Sequence, residues 1–121
     1  MGYDITLNDP VTKKTIEFDA PHQMKGGTYV IGGTREAWLS VTYNYSDFYY
    51  RDDVMDSQKG IRCIYGLTGA ESIPVLERAI AALGDDKTDN YWEPTEGNAK
   101  AALCSLLAFA RMRPDGIWDG D

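Results

Sequence analysis

Thr68-Gly69-Ala70-Glu71-Ser72-Ile73-Pro74-Val75-Leu76-Glu77-Arg78-Ala79-Ile80-Ala81-Ala82-Leu83-Gly84 is the stretch at which the apolar period of this chain changes from two to 3.6. Thr68 and Glu71 have the spacing of a capping box, in which each side chain accepts from the other residue's amide. Ile73, Leu76, Ile80 and Leu83 then share one helical face, and Gly84 supplies a C-terminal stop. Pro74 lacks the amide that an interior helical position donates, so the regular helix is expected to begin nearer Ser72, with Thr68–Glu71 as a separate turn. A second helix follows. Thr95 caps it, Ala99, Ala102, Leu103, Leu106, Leu107 and Ala110 form its stripe, and Arg111 and Arg113 suit its negative end before Pro114-Asp115-Gly116 closes it. Residues 84–94 join the two into a helical hairpin over 68–114, expected to pack on one face of a sheet.

Upstream the period is two. Tyr3, Ile5 and Leu7 alternate with polar residues, Asn8-Asp9-Pro10 supplies turn chemistry, and Thr15-Ile16-Glu17-Phe18 alternates again, which reads as a hairpin. Thr28-Tyr29-Val30-Ile31 lies between Gly26-Gly27 and Gly32-Gly33, and Ala37, Leu39, Val41, Tyr43 and Tyr45 mark the longest strand signal. The expectation is one α+β domain over 1–121: a three- to four-stranded antiparallel sheet from the N-terminal half, packed by a C-terminal two-helix hairpin. Within it, 1–46 are strand-rich, 47–67 irregular and 115–121 a short tail. Phe48-Tyr49-Tyr50 reads as a short helix or an ordered loop. A chain of 121 residues can bury a core without disulfide or metal support.

The formal net charge is −7, with nine acids and six bases in residues 1–60 and ten and six in 61–121. Charge shared in this way favours solubility and argues against direct nucleic-acid binding, which needs a basic footprint. It leaves open the reverse role, in which carboxylates engage a partner's basic groove. The N-terminus lacks the basic and apolar regions of a signal peptide, and no run approaches the length of a membrane helix. Thr6 completes only part of a myristoylation motif, and Tyr3-Asp4 directly after Gly2 argue against it. Cys63 and Cys104 lie in unlike settings, as reduced thiols of a cytoplasmic protein would.

Few residues promise chemistry. His22, the single histidine, is placed in a loop after Pro21, where a solvated side chain is the ordinary outcome. Cys104 is expected in the core beside the second helix's stripe, whereas Cys63, if exposed near Arg62, would have a depressed pKa. The Gly-Gly-Thr triplets at 26–28 and 32–34 border a strand and read as turns, without the lysine of a phosphate loop. Asp115 to Asp121 resembles a calcium loop only in letters, since the chain stops before a closing glutamate. Neither a metal site nor a cofactor is expected. Glu93 and Glu96 with Asp119 are the carboxylates an acid–base enzyme would use, although acids beside a capped helix start ordinarily serve its dipole.

Aromatic side chains carry more promise. Tyr91 and Trp92 precede the second helix and Trp118 follows it. A helix of about 17 residues is about 25 Å long, so these borders meet only if the tail folds back. The candidate ligand or partner set is Tyr91, Trp92, Glu93, Asn98, Arg111, Arg113, Trp118 and Asp119. A second candidate surface is Tyr43, Tyr45, Tyr49 and Tyr50. The competing reading is that these rings wedge the sheet against the helices.

Tyr65-Gly-Leu-Thr-Gly-Ala-Glu-Ser-Ile-Pro74, Tyr91-Trp-Glu-Pro-Thr-Glu-Gly-Asn-Ala99 and Met112-Arg-Pro-Asp-Gly-Ile-Trp-Asp-Gly-Asp121 resemble a family of small, mostly uncharacterised proteins of phages and prophages. Tyr43-Asn-Tyr-Ser46 is also similar. The resemblance covers roughly the last sixty residues well and the first forty loosely. It implies a mobile-element origin and a host-cell cytoplasmic setting, and brings no catalytic residues with it. By analogy of class, it points to a non-enzymatic accessory protein that blocks a host protein or sequesters a nucleotide-like ligand, in the service of anti-defence. A small carboxylate-dependent enzyme, or a structural part of a virion or complex, is the alternative. An oligomer is compatible with each.

Overall fold

A computed structural model describes residues 2–22 and 33–121 and has a mixed α+β architecture. Its elements are β1 (Gly2–Asn8), β2 (Glu17–His22), β3 (Thr34–Glu36), β4 (Trp38–Thr42), α1 (Ser46–Tyr49), α2 (Gly69–Ala82), α3 (Glu96–Met112) and β5 (Ile117–Gly120). One antiparallel sheet has the order β4-β1-β5, and β2 and β3 form a second, two-stranded sheet. The strand expected at Thr28–Ile31 lies outside the described residues.

The alternation in β1 sets the layers. Tyr3, Ile5 and Leu7 are buried while Asp4 is exposed. Tyr3 faces Val41 and Ile5 faces Leu39 across β4, and Leu7 faces Trp118 across β5. A register slip of one residue would turn all of these out of the core, so burial fixes the pairing. Helices α2 and α3 supply Leu76, Ala79, Leu103, Leu106 and Ala110 to the same core. No helix among the described residues is long and apolar enough to cross a membrane.

Four local expectations need correction. The hairpin after β1 is brief. Asp9 accepts from the Val11 and Thr12 amides and closes a turn, with Lys13 in the left-handed region at φ 66°. Ile16 then returns one bond to Leu7 before β2 departs to pair with β3. The long strand signal ends at Thr42, whose hydroxyl accepts from the Asn44 amide and turns Tyr43–Tyr45 into a 3₁₀ helix. The third strand of the main sheet is the tail: Ile117–Gly120 reads as loop because glycines and aspartates flank its two apolar residues. Finally, α2 begins at Gly69 with the capping box intact and contains Pro74. Ala70, whose carbonyl the proline cannot serve, lies like Pro74 on the exposed face, where water can satisfy it.

The thiols and the histidine also differ from expectation. Cys104 is exposed, because it sits one residue off the stripe that carries Leu103. Partial burial pushes the Cys63 thiol up from its ordinary value, the opposite of an activated cysteine. His22 lies in β2, where its Nε2 is 2.6 Å from the Glu36 carbonyl and its ring packs 4.9 Å from Phe109.

Candidate functional site

The 84–95 linker is gathered around the side chain of Asn98. Asn98, only 4% exposed, accepts from the Thr88 amide through its carbonyl oxygen (2.9 Å). Its Nδ2 donates toward the Thr88 hydroxyl (3.1 Å), the Asn90 carbonyl (3.0 Å) and the Glu93 carbonyl (2.9 Å). The Thr95 hydroxyl accepts from the Asn98 amide as the α3 cap, and Asp86 accepts from the Gly97 amide at 2.9 Å. A Cβ at Gly97 would collide with the Asp86–Lys87 backbone, so glycine permits the linker to lie against the helix start.

Tyr91 ties the same linker to the sheet. Its hydroxyl accepts from the Thr42 amide (2.8 Å) and donates to the Ser40 carbonyl (2.9 Å). These are outward-facing groups of the edge strand β4, so the phenol stands where a neighbouring strand would pair. Tyr45 donates from its hydroxyl to the Tyr91 carbonyl, and Asn44 donates from its side chain to the Trp92 carbonyl (2.9 Å). Burial pushes the Tyr91 phenol up to about 12. Trp92 touches Tyr91 edge to face and remains 44% exposed.

The tail is fastened differently. Trp118 is 1% exposed, and its indole Nε1 donates to the Ser72 hydroxyl (2.7 Å), which donates to the Gly69 carbonyl (2.8 Å). The Gly69 and Ala70 amides donate to the Gly116 and Pro114 carbonyls. A Cβ at Gly69 would come within 2.7 Å of the Arg113 carbonyl, and one at Gly116 within 2.6 Å of Leu7.

The candidate set is therefore divided. Tyr91, Trp92, Glu93 and Asn98 assemble around the linker beside β4. Trp118 and Asp119 lie in β5, at the opposite edge of the sheet, and Trp118 is buried. Arg113 pairs with Asp115 through two bonds (2.9 and 2.8 Å) and with Asp9 at 3.5 Å, while Arg111 faces Glu77 at 3.4 Å. Of the second candidate surface, Tyr45 and Tyr49 are buried in the core, and Tyr49 donates to the Ala99 carbonyl. Tyr43 and Tyr50 are partly exposed; Tyr43 packs edge to face on Tyr3, and the Tyr50 ring lies beside Gly60. Glu96 binds Arg51 at 3.2 Å, Glu93 sits in the linker and Asp119 accepts from the Gly120 amide, so these carboxylates belong to three separate contacts. Among the described residues, no three His, Cys, Asp or Glu side chains converge as metal ligands would.

Two linker features escaped the sequence. The first is charge. Asp85, Asp86, Asp89, Glu93 and Glu96 stand against Lys87 alone in residues 84–96, more than half of the chain's net −7. Charge that is even between the two halves of the chain is thus concentrated within the second. The second is a cavity of about 180 Å³ beneath the linker, with Leu39, Tyr45, Asn98 and Ala102 inside and Lys87, Thr88 and Asp89 at its mouth. It exists because α3 presents the small residues Ala101, Ala102 and Ser105 there; their spacing was visible, their neighbours were not. The chain matches no family model, no curated protein and no solved structure with which it was compared.

Proposed function

We propose that this is a non-enzymatic accessory protein of a phage or prophage that works in the host cytoplasm by binding and blocking a host protein, in an anti-defence role. The docking surface is the linker. The observation that carries the reading is the half-exposed Trp92 among exposed Asp85, Asp86, Asp89 and Glu93. A large aromatic ring that is already held by its backbone gives up little freedom on docking, and such rings dominate interface energetics. The surrounding carboxylates supply steering and selectivity toward a basic partner. The phage origin rests on the three motif stretches quoted above.

Nucleotide sequestration has less support. Both arginines that would meet phosphate already face carboxylates, and Trp118 is unavailable for stacking.

The test is affinity capture of a host protein by the full chain, followed by a salt titration of the purified pair. The reading expects affinity to fall steeply between low and physiological ionic strength, and Trp92→Ala to abolish capture with an unchanged fold. Salt-insensitive binding, or full binding by the Trp92→Ala protein, would overturn it.

A further inference from the structure

We propose that the cavity beneath the linker is a binding site for a small zwitterion with an apolar side chain, the chemistry of a free aromatic or branched α-amino acid. The cavity's volume, about 180 Å³, exceeds the roughly 150 Å³ of a protein cavity that holds benzene. One six-membered ring or one branched chain therefore fits. Its lining is more apolar than polar, and most of the polar side chains that border it are already engaged. The Tyr45 hydroxyl is spent on the Tyr91 carbonyl, the Tyr91 hydroxyl on β4, and the Asn98 amide on the linker backbone. The rest of the lining is Leu39, Ala101, Ala102 and Ser105, whose hydroxyl donates to the Ala101 carbonyl at 3.4 Å.

The mouth has the opposite character. Lys87 and Asp89 flank Thr88, both are exposed, and neither joins an ion pair among the described residues. Neighbouring acids differ in this respect: Asp85 of the linker holds Lys100, and Glu96 at the start of α3 holds Arg51. An ammonium and a carboxylate without ion-pair partners among the described residues, two positions apart over a mostly apolar hollow, match a ligand whose carboxylate and ammonium share one carbon. A simple anion or a simple amine would use only half of the mouth. Asp89 is shared with the docking reading, but Trp92, which carries that reading, does not line the cavity, so L-phenylalanine binding by the Trp92→Ala protein tells the two apart.

The experiment is a titration of the full chain followed by amide NMR, with L-phenylalanine, L-leucine, benzoate and benzylamine as separate probes. L-Phenylalanine or L-leucine is expected to give saturable shifts confined to the cavity lining, with benzoate and benzylamine roughly tenfold weaker, the scale of one lost charge contact. Ser105→Leu, which fills the cavity from its partly exposed wall, should abolish these shifts; Ala101→Leu serves as a second variant if the first disturbs the fold. Lys87→Gln should weaken L-phenylalanine to the level of benzylamine. Absence of saturable shifts with every probe would overturn the site, as would L-phenylalanine binding that survives either filled variant in a folded protein. Benzoate or benzylamine binding as tightly as L-phenylalanine would overturn the zwitterion assignment.

Discussion

The tail and the linker are both irregular stretches of glycine, aspartate, proline and aromatic residues, and each is pinned to a helix start. The tail is pinned by burial. Trp118 fills the core opposite Leu7, and its one polar atom reaches Ser72. The linker is pinned by hydrogen bonds. Asn98 gathers three backbone groups, and Tyr91 bonds an edge strand, while most of the linker's other side chains face water. A contact made by burial resists local opening, because exposing it costs the whole core. A contact made by a few hydrogen bonds at the surface holds a shape yet can open alone. The tail therefore determines whether the chain folds, and the linker determines what the folded chain offers to a partner.

The contrast breaks most visibly in stability. Trp118→Ala removes a fully buried indole and should cost about 3–5 kcal/mol, read as a fall in the midpoint of urea unfolding. Asn98→Ala leaves the Thr88 amide and the Asn90 and Glu93 carbonyls without their partner. It should cost about 2–3 kcal/mol, with near-ultraviolet signals of Trp92 changing before those of the core. A cost above that of Trp118→Ala would reverse the ranking of the two regions.

Tyr91→Phe keeps the ring but unpairs Ser40 and Thr42, for about 1–2 kcal/mol. Because it uncovers the β4 edge, it should also raise the tendency to self-associate, visible by light scattering. The same phenol gives a pH test. Its folded pKa, about 12, lies above the ordinary tyrosine value near 10, so folding favours the neutral form. That contribution is complete below about pH 10 and is lost as pH rises toward 12. Urea midpoints should fall over this window, and the fall should be smaller in Tyr91→Phe. Smallest of all is Arg111→Ala. Its pair with Glu77 is more than half exposed on both sides, and the loss should stay within about 0.5 kcal/mol by thermal unfolding.

The layered α+β arrangement was legible because it depends on period. The alternation of Tyr3, Ile5 and Leu7 and the stripe from Ala99 to Ala110 report burial directly. The capping box at Thr68 was legible because it is a local pattern of four residues. What sequence could not show is which irregular stretch becomes a strand. Ile117-Trp118 pairs with β1 across more than a hundred residues, and no local signal records that partner. The site was half legible for the same reason. Tyr91, Trp92, Glu93 and Asn98 are neighbours in sequence and stay neighbours in the fold. Arg111, Arg113 and Trp118 looked equally inviting as letters, but Glu77 and Ser72, remote in sequence, engage Arg111 and Trp118. Arg113 is held by its near neighbour Asp115 with the remote Asp9.

Native-state amide hydrogen exchange across low concentrations of urea tests the division between the two regions most directly. The Gly69, Ala70 and Trp118 amides, which donate to the Gly116, Pro114 and Leu67 carbonyls, are predicted to exchange only through global unfolding, with the full urea dependence. The Thr88, Gly97 and Thr42 amides, bound by Asn98, Asp86 and Tyr91, are predicted to open at lower free energy and with little urea dependence. A single free energy and a single urea slope shared by all six would contradict it.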